Sequence, residues 1–224
     1  MTVDRGTKAV TVVALALLSS VILLVGCFGA YQVSPDNVPT VSGLPPAVED
    51  KDAGLVAVKP GFDIKTYKVI AVDKFPVTDS AIKDAEDRAA AAEMSTILQS
   101  EIVRRLRDTG LFGRVVNLSE TQFAPDAENT LRLEGVISRL GGGSQAARAF
   151  AGLYGAGAAR AQADMRFIDI KSGQPLLVVA DRRQASMGFF GGSTRDHWKE
   201  SFDDMARDLG KFLVRLSNGQ APAK

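Results

Sequence analysis

Two apolar stripes with helical spacing, one in the middle of the chain and one at its end, constrain the fold most strongly. Their members recur at intervals of three or four residues: Met94, Leu98, Ile102 and Leu106 in the first stripe, and Trp198, Phe202, Met205, Leu209 and Leu216 in the second. This spacing places the apolar side chains along one face of an α-helix. Because a helix with one apolar face must bury it against another layer, both helices require a common partner layer.

The partner layer is predicted to be a β-sheet. Apolar and polar residues alternate in several short segments, near residues 67–75, 115–118, 131–138, 161–167 and 176–185. The turn-forming residues 171–174 join the last two segments as an antiparallel hairpin. We therefore expect an α+β fold, a two-layer sandwich in which a mainly antiparallel sheet of four to five strands is covered by two amphipathic helices. The first helix is predicted to begin at Asp79 or Ser80 and to end at Gly110.

The N-terminus has the layout of a bacterial secretory signal. Arg5 and Lys8 precede an uncharged, mostly apolar run that ends in the tetrapeptide Leu24, Val25, Gly26 and Cys27. A charged start, an apolar centre and a small residue before the cleavage point are typical of signal peptides. The tetrapeptide resembles a lipobox. The alternative is a single N-terminal anchor helix, for which a mostly apolar run of 17 residues is at the lower limit of length.

The lipobox resemblance implies that Cys27 becomes the acylated first residue of the mature protein, carrying fatty chains such as palmitate. Cys27 is the only cysteine in the chain, so no disulfide competes for its thiol. Phe28, and not Asp, follows it, which in lipoprotein sorting favours the outer membrane over retention in the inner membrane. We therefore expect a domain that faces the periplasm and is held to the membrane by lipid.

The domain organisation follows from the distribution of proline and of periodic segments. Residues 1–26 are predicted as the signal peptide, 27–66 as a lipidated cysteine with a proline-rich tether, 67–218 as the periplasmic α+β domain, and 219–224 as a disordered tail. Five of the nine prolines fall in the predicted tether, where they stiffen the chain and block regular pairing. The alternative is a loop packed on the domain.

Composition argues against most catalytic and metal chemistries. Lys and Arg number 27 against 26 Asp and Glu, without the basic excess of a nucleic-acid binder. One His and one Cys are too few for a zinc site. We therefore expect no catalytic residue, no metal, no cofactor and no nucleic-acid partner.

Individual charged residues are predicted to have structural roles. His197 is interpreted as a surface or capping group at the start of the second helix. Asp203 and Asp204 are interpreted as part of a solvated helix face. Asp164 and Asp169 point to opposite sides of one strand, so they do not form a glycosidase-type pair.

The glycine-rich segment 141–160 has four interpretations. A phosphate-binding loop is suggested by Gly155 and Gly157, but Arg160 stands where a third glycine is required. The other interpretations are a small-residue contact in a membrane or assembly interface, a connection between strands, and a partner-binding loop. In the last case Phe150, Leu153 and Tyr154 are the exposed anchors.

A second glycine cluster surrounds Phe189 and Phe190, between the last strand and the last helix. These two aromatic residues are interpreted as a hydrophobic plug under the helix, with a docking contact as the alternative.

The lipobox, the spacer and the run L-R-L-E-G-V-I-S-R-L through M-R-F-I-D-I-K-S-G-Q-P-L together resemble the bacterial lipoprotein family catalogued as domain of unknown function 4410. The resemblance covers residues 67–216 and is most specific over 131–176. It implies a fold and an envelope location but no activity. A more distant resemblance is to envelope lipoproteins of the curli-secretion-channel type.

Three functional hypotheses follow. The first is a non-enzymatic, lipid-anchored envelope protein that binds other envelope proteins in outer-membrane assembly, transport or maintenance. The second is an oligomeric export component, with residues 141–160 at the contacts between copies of the chain. The third is a carrier of a lipid or small ligand, with its pocket between the sheet and the helices.

Overall fold

A computed structural model describes residues 30–36, 38, 44–80, 82, 85–122, 129–141, 159–185 and 193–224. In this part of the chain, eight strands form one sheet and two long helices cover one of its faces. The strands are β1 (Ala30–Val33), β2 (Val48–Asp50), β3 (Gly54–Val58), β4 (Val69–Val72), β5 (Arg114–Asn117), β6 (Thr130–Gly141), β7 (Ala159–Asp169) and β8 (Pro175–Ala185). The helices are α1 (Ala85–Thr109) and α2 (Thr194–Ser217), and a short 3-10 helix spans Ile64–Thr66.

The two-layer α+β arrangement and both helices are therefore confirmed, but the expected strand number was wrong. The strand order is β2-β3-β8-β7-β6-β4-β5, and β1 also pairs with β8. Strand β4 is parallel to β5 and β6, and the remaining pairs are antiparallel. The free edge of β8 is shared, since β1 pairs with its last four residues and β3 with residues 177–180.

The helices begin and end for identifiable reasons. Ser193 caps α2, because its hydroxyl accepts from the Asp196 amide while the Asp196 carboxylate accepts from the Ser193 amide. Helix α1 ends before Gly110, whose positive φ of 66° suits a helix terminus. The prediction that α1 begins at Asp79 or Ser80 was wrong, since the helix begins at Ala85. Asp79 instead accepts a hydrogen bond from the Leu140 amide at 2.8 Å and ties the preceding loop to β6.

The hydrophobic core lies between the sheet and the helices. Phe75 and Phe167 from the sheet side belong to the same core as Phe202 and Phe212 of α2, and all four side chains are fully buried. The apolar residues of both predicted helical stripes belong to this core or pack against it. We therefore call the helix-covered side the inner face of the sheet and the other side its outer face.

A proline-rich tether was expected over residues 27–66, but residues 30–33 and the second half of that range are folded. These residues contribute β1, β2, β3 and the 3-10 helix to the folded domain. The reason is the long β8, which offers an edge of eleven residues to strands too short to show a period of their own. The domain therefore begins at Ala30 and not at Tyr67.

The tail expected to be disordered also packs on the domain. The Lys51 amide donates to the Ala223 carbonyl at 2.9 Å, and the Ala223 amide donates to the Asp50 carboxylate at 2.8 Å. These bonds tie the tail to Asp50 at the end of β2 and to Lys51 directly after it. Neither α1 nor α2 combines the length and the apolar character that a bilayer-spanning helix requires.

Candidate functional site

The residues that the sequence singled out for function lie outside the described part of the chain. They are the predicted lipidation residue Cys27, the cleavage residues Leu24, Val25 and Gly26, and the predicted contact residues Phe150, Leu153, Tyr154, Gly155, Gly157, Phe189 and Phe190. Their roles remain predictions. The described residues reveal a different candidate site, on the outer face of the sheet.

The chain that follows β1 crosses this outer face. Gln162 of β7, fully buried, holds it in place with both ends of its side-chain amide. Its Oε1 accepts from the Asp36 amide at 2.9 Å, and its Nε2 donates to the Asp36 carbonyl at 2.9 Å. Arg182 of β8 pairs with the Asp36 carboxylate at 2.6 Å and donates to the Ser34 carbonyl at 3.2 Å. We call residues 34–36 and 38 the crossing segment, and they form one wall above the sheet.

A groove of about 450 Å³ lies between the crossing segment and the sheet. Val38 stands on the wall, and Val136, Asp164 and Val178 form the floor on β6, β7 and β8. The strand register accounts for this arrangement, because Val136 is paired with Asp164, and Arg166, on the same face, with Val178. We call this site the outer-face groove. It lies on the opposite face of the sheet from the pocket that the sequence led us to expect between the sheet and the helices.

Four charged side chains form a chain of alternating sign along one side of the groove. Arg132 donates through Nε to the Asp73 carboxylate at 2.7 Å, and its Nε lies 3.7 Å from the Glu134 carboxylate. Glu134 is also paired with Arg166 on the neighbouring strand. Each carboxylate in the chain thus faces a guanidinium, an arrangement that fixes side-chain positions.

Asp164 is the exception among the acidic groups of the groove. Burial raises the pKa of this carboxyl above its ordinary value, while a hydrogen bond from Gln162 Nε2 at 3.0 Å acts in the opposite direction. A carboxyl with a raised pKa in a mainly apolar groove offers a hydrogen-bonding point for a ligand that carries a donor. Among the described residues that line the groove, none is Ser, Thr, Cys or His.

The inner face contains a second charged group of residues, which the sequence did not reveal. Arg183 of β8 is buried and donates to Asp181 at 2.8 Å, to Asp208 of α2 at 3.1 Å and to the Asp52 carbonyl at 3.2 Å. Arg215 of α2 adds bonds to the carboxylates of Asp52 and Asp50, both at 2.7 Å. We call these six residues the buried ionic cluster. It joins α2 to β8 and to the turn between β2 and β3.

The remaining charged residues have the structural roles shown by their contacts. Asp203 was expected on a solvated helix face, but it also bridges the two helices, because its carboxylate accepts from Arg104 at 2.9 Å and from Arg105 at 2.7 Å. His197 is buried in the first turn of α2, which corrects its assignment to the surface. Asp169 accepts from the Lys171 amide at 3.0 Å within the β7–β8 turn, while Asp164 lies in the outer-face groove.

Comparison with protein families gives one match. Residues 58–189 match the family described as a domain of unknown function, DUF4410. The match includes β4 to β8 and α1, and it confirms the resemblance found in residues 131–176. A comparison with curated proteins finds no relative of this chain.

Solved structures include several with a partial likeness to this chain. The PelC dodecamer from Paraburkholderia phytofirmans is 12% identical and covers 69% of this chain and 94% of its own, with a TM-score of 0.43. A protein from Xanthomonas campestris, of the family DUF330, is 11% identical and covers 73% and 94%, with a TM-score of 0.46. A candidate lipoprotein from Caulobacter crescentus is 15% identical and covers 71% and 96%, with a TM-score of 0.37.

Proposed function

Since the chain belongs to the DUF4410 family, which is described only as a domain of unknown function, we propose a role from its own residues: a lipid-anchored protein of the bacterial envelope that acts by binding and not by catalysis. The anchor is Cys27, because Leu24, Val25 and Gly26 before it match a lipobox. The binding element is the outer-face groove, on the side of the sheet that the helices leave open.

The composition of the outer-face groove is the observation that supports binding over catalysis. Its floor is apolar at Val136 and Val178, and its charged side is a chain of ion pairs in which each carboxylate faces a guanidinium. Catalysis at such a site needs a nucleophile or a base within reach of a second polar group. The groove presents one half-buried carboxyl outside this chain of ion pairs, Asp164, beside the apolar Val136 and Val178, which suits recognition of a ligand that carries a donor.

The occupant that we propose is a segment of another envelope protein. An apolar side chain of that segment packs on Val136 and Val178, and a hydrogen-bond donor faces Asp164. A photo-crosslinking residue placed at Val136 is expected to capture an envelope protein in living cells. The matched control places the same residue at the exposed Ser172, in the β7–β8 turn. Equal capture from both positions, or none from position 136, would contradict the proposal.

A small-molecule carrier is the second candidate, because about 450 Å³ is within the range of ligand pockets, roughly 300–1,000 Å³. Native mass spectrometry of protein extracted from membranes distinguishes the two candidates. A bound mass that is absent from a Val136→Trp variant favours the carrier. Capture of a protein from position 136 without such a bound mass favours the partner segment.

We place the protein at the outer membrane, with its domain in the periplasm, because Phe28 follows Cys27. Separation of the two membranes by density tests this placement. A Phe28→Asp variant, which introduces the residue associated with inner-membrane retention, is expected to move to the inner-membrane fraction. The same distribution for both proteins would show that residue 28 does not decide the location.

Association between copies of the chain, through residues 141–160, is the alternative role for the glycine-rich segment. Crosslinking of the lipidated protein in detergent tests it, and monomers alone would count against it.

A further inference from the structure

The folded domain begins very close to the proposed lipid attachment, and this inference rests on the acylation of Cys27 proposed above. Ala30 is the first residue of β1 and is paired with Ala185, the last residue of β8. Three residues of chain span at most about 10 Å, even when fully extended. The Cα atom of Cys27, the residue that carries the lipid, is therefore within about 10 Å of the start of β1, whatever the conformation of residues 28 and 29.

Several strands begin or end beside this point. Ala185 is paired with Ala159, the first residue of β7, and Gly141, the last residue of β6, is paired with Arg160. Segments 142–158 and 186–192, outside the described residues, are thus joined to the domain at this same end. Their sequences contain one charged residue, Arg148, and four aromatic residues, Phe150, Tyr154, Phe189 and Phe190.

A row of three side chains crosses the outer face at this end. Tyr31 is paired with Gln184, and Gln184 is paired with Arg160, so the three lie side by side on one face of the sheet. Tyr31 is 49% exposed and Arg160 is also exposed. Tyrosine is enriched at membrane–water interfaces, and arginine binds phosphate with several donors at once. We call Tyr31, Gln184 and Arg160 the membrane-end row.

We propose that the membrane-end row contacts the phospholipid headgroups of the bilayer that holds the anchor. The domain then rests end-on against the membrane and does not stand off on a tether. Strand β7 runs away from this row for eleven residues, about 35 Å at 3.3 Å per residue. The β7–β8 turn around Ser172 is consequently at the far end of the sheet, turned towards the periplasm.

Site-specific labelling of the full, lipidated protein tests this orientation. Gln184→Cys and Ser172→Cys variants each carry one fluorescent label, because the thiol of Cys27 is occupied by lipid. The proteins are placed in vesicles of phosphatidylethanolamine and phosphatidylglycerol that contain a headgroup quencher. We expect several-fold stronger quenching at position 184 than at position 172. Equal quenching, or stronger quenching at position 172, would overturn the proposal.

A charge reversal tests whether the row itself makes the contact. Arg160→Glu is expected to weaken the quenching of the label at position 184, whereas Lys171→Glu, in the far turn, leaves it unchanged. Equal effects of the two changes would contradict a role for the row. Vesicle flotation separates this proposal from the anchor. If the protein floats with the vesicles but both labels are quenched equally, the orientation alone is refuted. If the protein does not float, the lipid anchor and the orientation are refuted together.

Discussion

Replacement of Arg183 by methionine is expected to destabilise the fold more than removal of any exposed ion pair. The guanidinium is 5% exposed and donates to Asp181 at 3.0 and 2.8 Å, to Asp208 at 3.1 Å and to the Asp52 carbonyl at 3.2 Å. Its removal leaves the buried Asp181 carboxylate without its cationic partner. The loss of one partner from a buried pair costs about 3–5 kcal/mol. Urea unfolding at pH 8 measures the change in the free energy of unfolding.

The loss of stability in the Arg183→Met variant is expected to become smaller as the pH falls. Burial already raises the pKa of Asp181 above its ordinary value of 3.8, although Arg183 opposes this shift. Without Arg183 the pKa of Asp181 rises further. At a pH between the ordinary and the raised pKa, Asp181 is then protonated in the native variant but ionised in the unfolded chain. Stability of the variant therefore increases, relative to wild type, as the pH falls from 8 through the raised pKa of Asp181. The difference between the two proteins should shrink over that range.

Two control variants make this prediction specific. Arg166→Met removes an ion pair with Glu134 whose arginine is 46% exposed, and it should cost about 0.2–1 kcal/mol. The double variant Arg183→Met with Asp181→Leu removes both charges and should recover a large part of the loss. The reasoning is refuted if Arg183→Met costs no more than Arg166→Met, or if its cost is the same at every pH.

Three further changes have expected outcomes. Gly135→Ala should destabilise the protein by about 1–3 kcal/mol in thermal unfolding, because the new Cβ would lie 2.9 Å from a core phenylalanine ring and still closer to the β7 backbone. The control is Gly141→Ala on the same strand, whose Cβ would meet nothing within 4 Å and which should change the stability by no more than about 0.5 kcal/mol. Asp164→Asn should stabilise the protein in urea unfolding at pH 8, because burial raises the pKa of Asp164 and disfavours its charge, and the gain should disappear as the pH falls towards 3.8. Removal of residues 219–224 should cost about 1–3 kcal/mol in urea unfolding, because both hydrogen bonds of Ala223 to the end of β2 are lost.

The periodic segments of the sequence were sufficient to predict both helices and strands β4 to β8. Each of these elements has an apolar pattern that is visible within a short stretch of sequence, as in the helical spacing from Met94 to Leu106 and the alternation from Ala161 to Phe167. Strands β1, β2 and β3 have only four, three and five residues and lie among prolines. Strands β1 and β3 pair with β8, more than a hundred residues later, so no local pattern could reveal that pairing, and β2 in turn pairs with β3.

The two charged sites were missed for a different reason. Asp181 and Arg183 occupy inward positions of β8, where an apolar period predicts core residues, and their partner Asp208 interrupts the apolar stripe of α2. Charged residues that interrupt the apolar patterns of two elements indicate a buried ion pair, but only when it is known that the two elements pack together. In the outer-face groove, Val136 and Asp164 come from different strands, and the crossing segment that makes the wall shows no pattern at all.

Intact-mass and N-terminal analysis of the protein purified from bacterial membranes tests the central claim most directly. The account predicts that the first residue of the mature protein is Cys27 and that the mass exceeds that of residues 27–224 by a diacylglyceryl group with or without a further acyl chain. A Cys27→Ala protein should lack this added mass and leave the membrane fraction. An uncut precursor that begins at Met1, carries no lipid and is recovered in the soluble fraction would contradict the account.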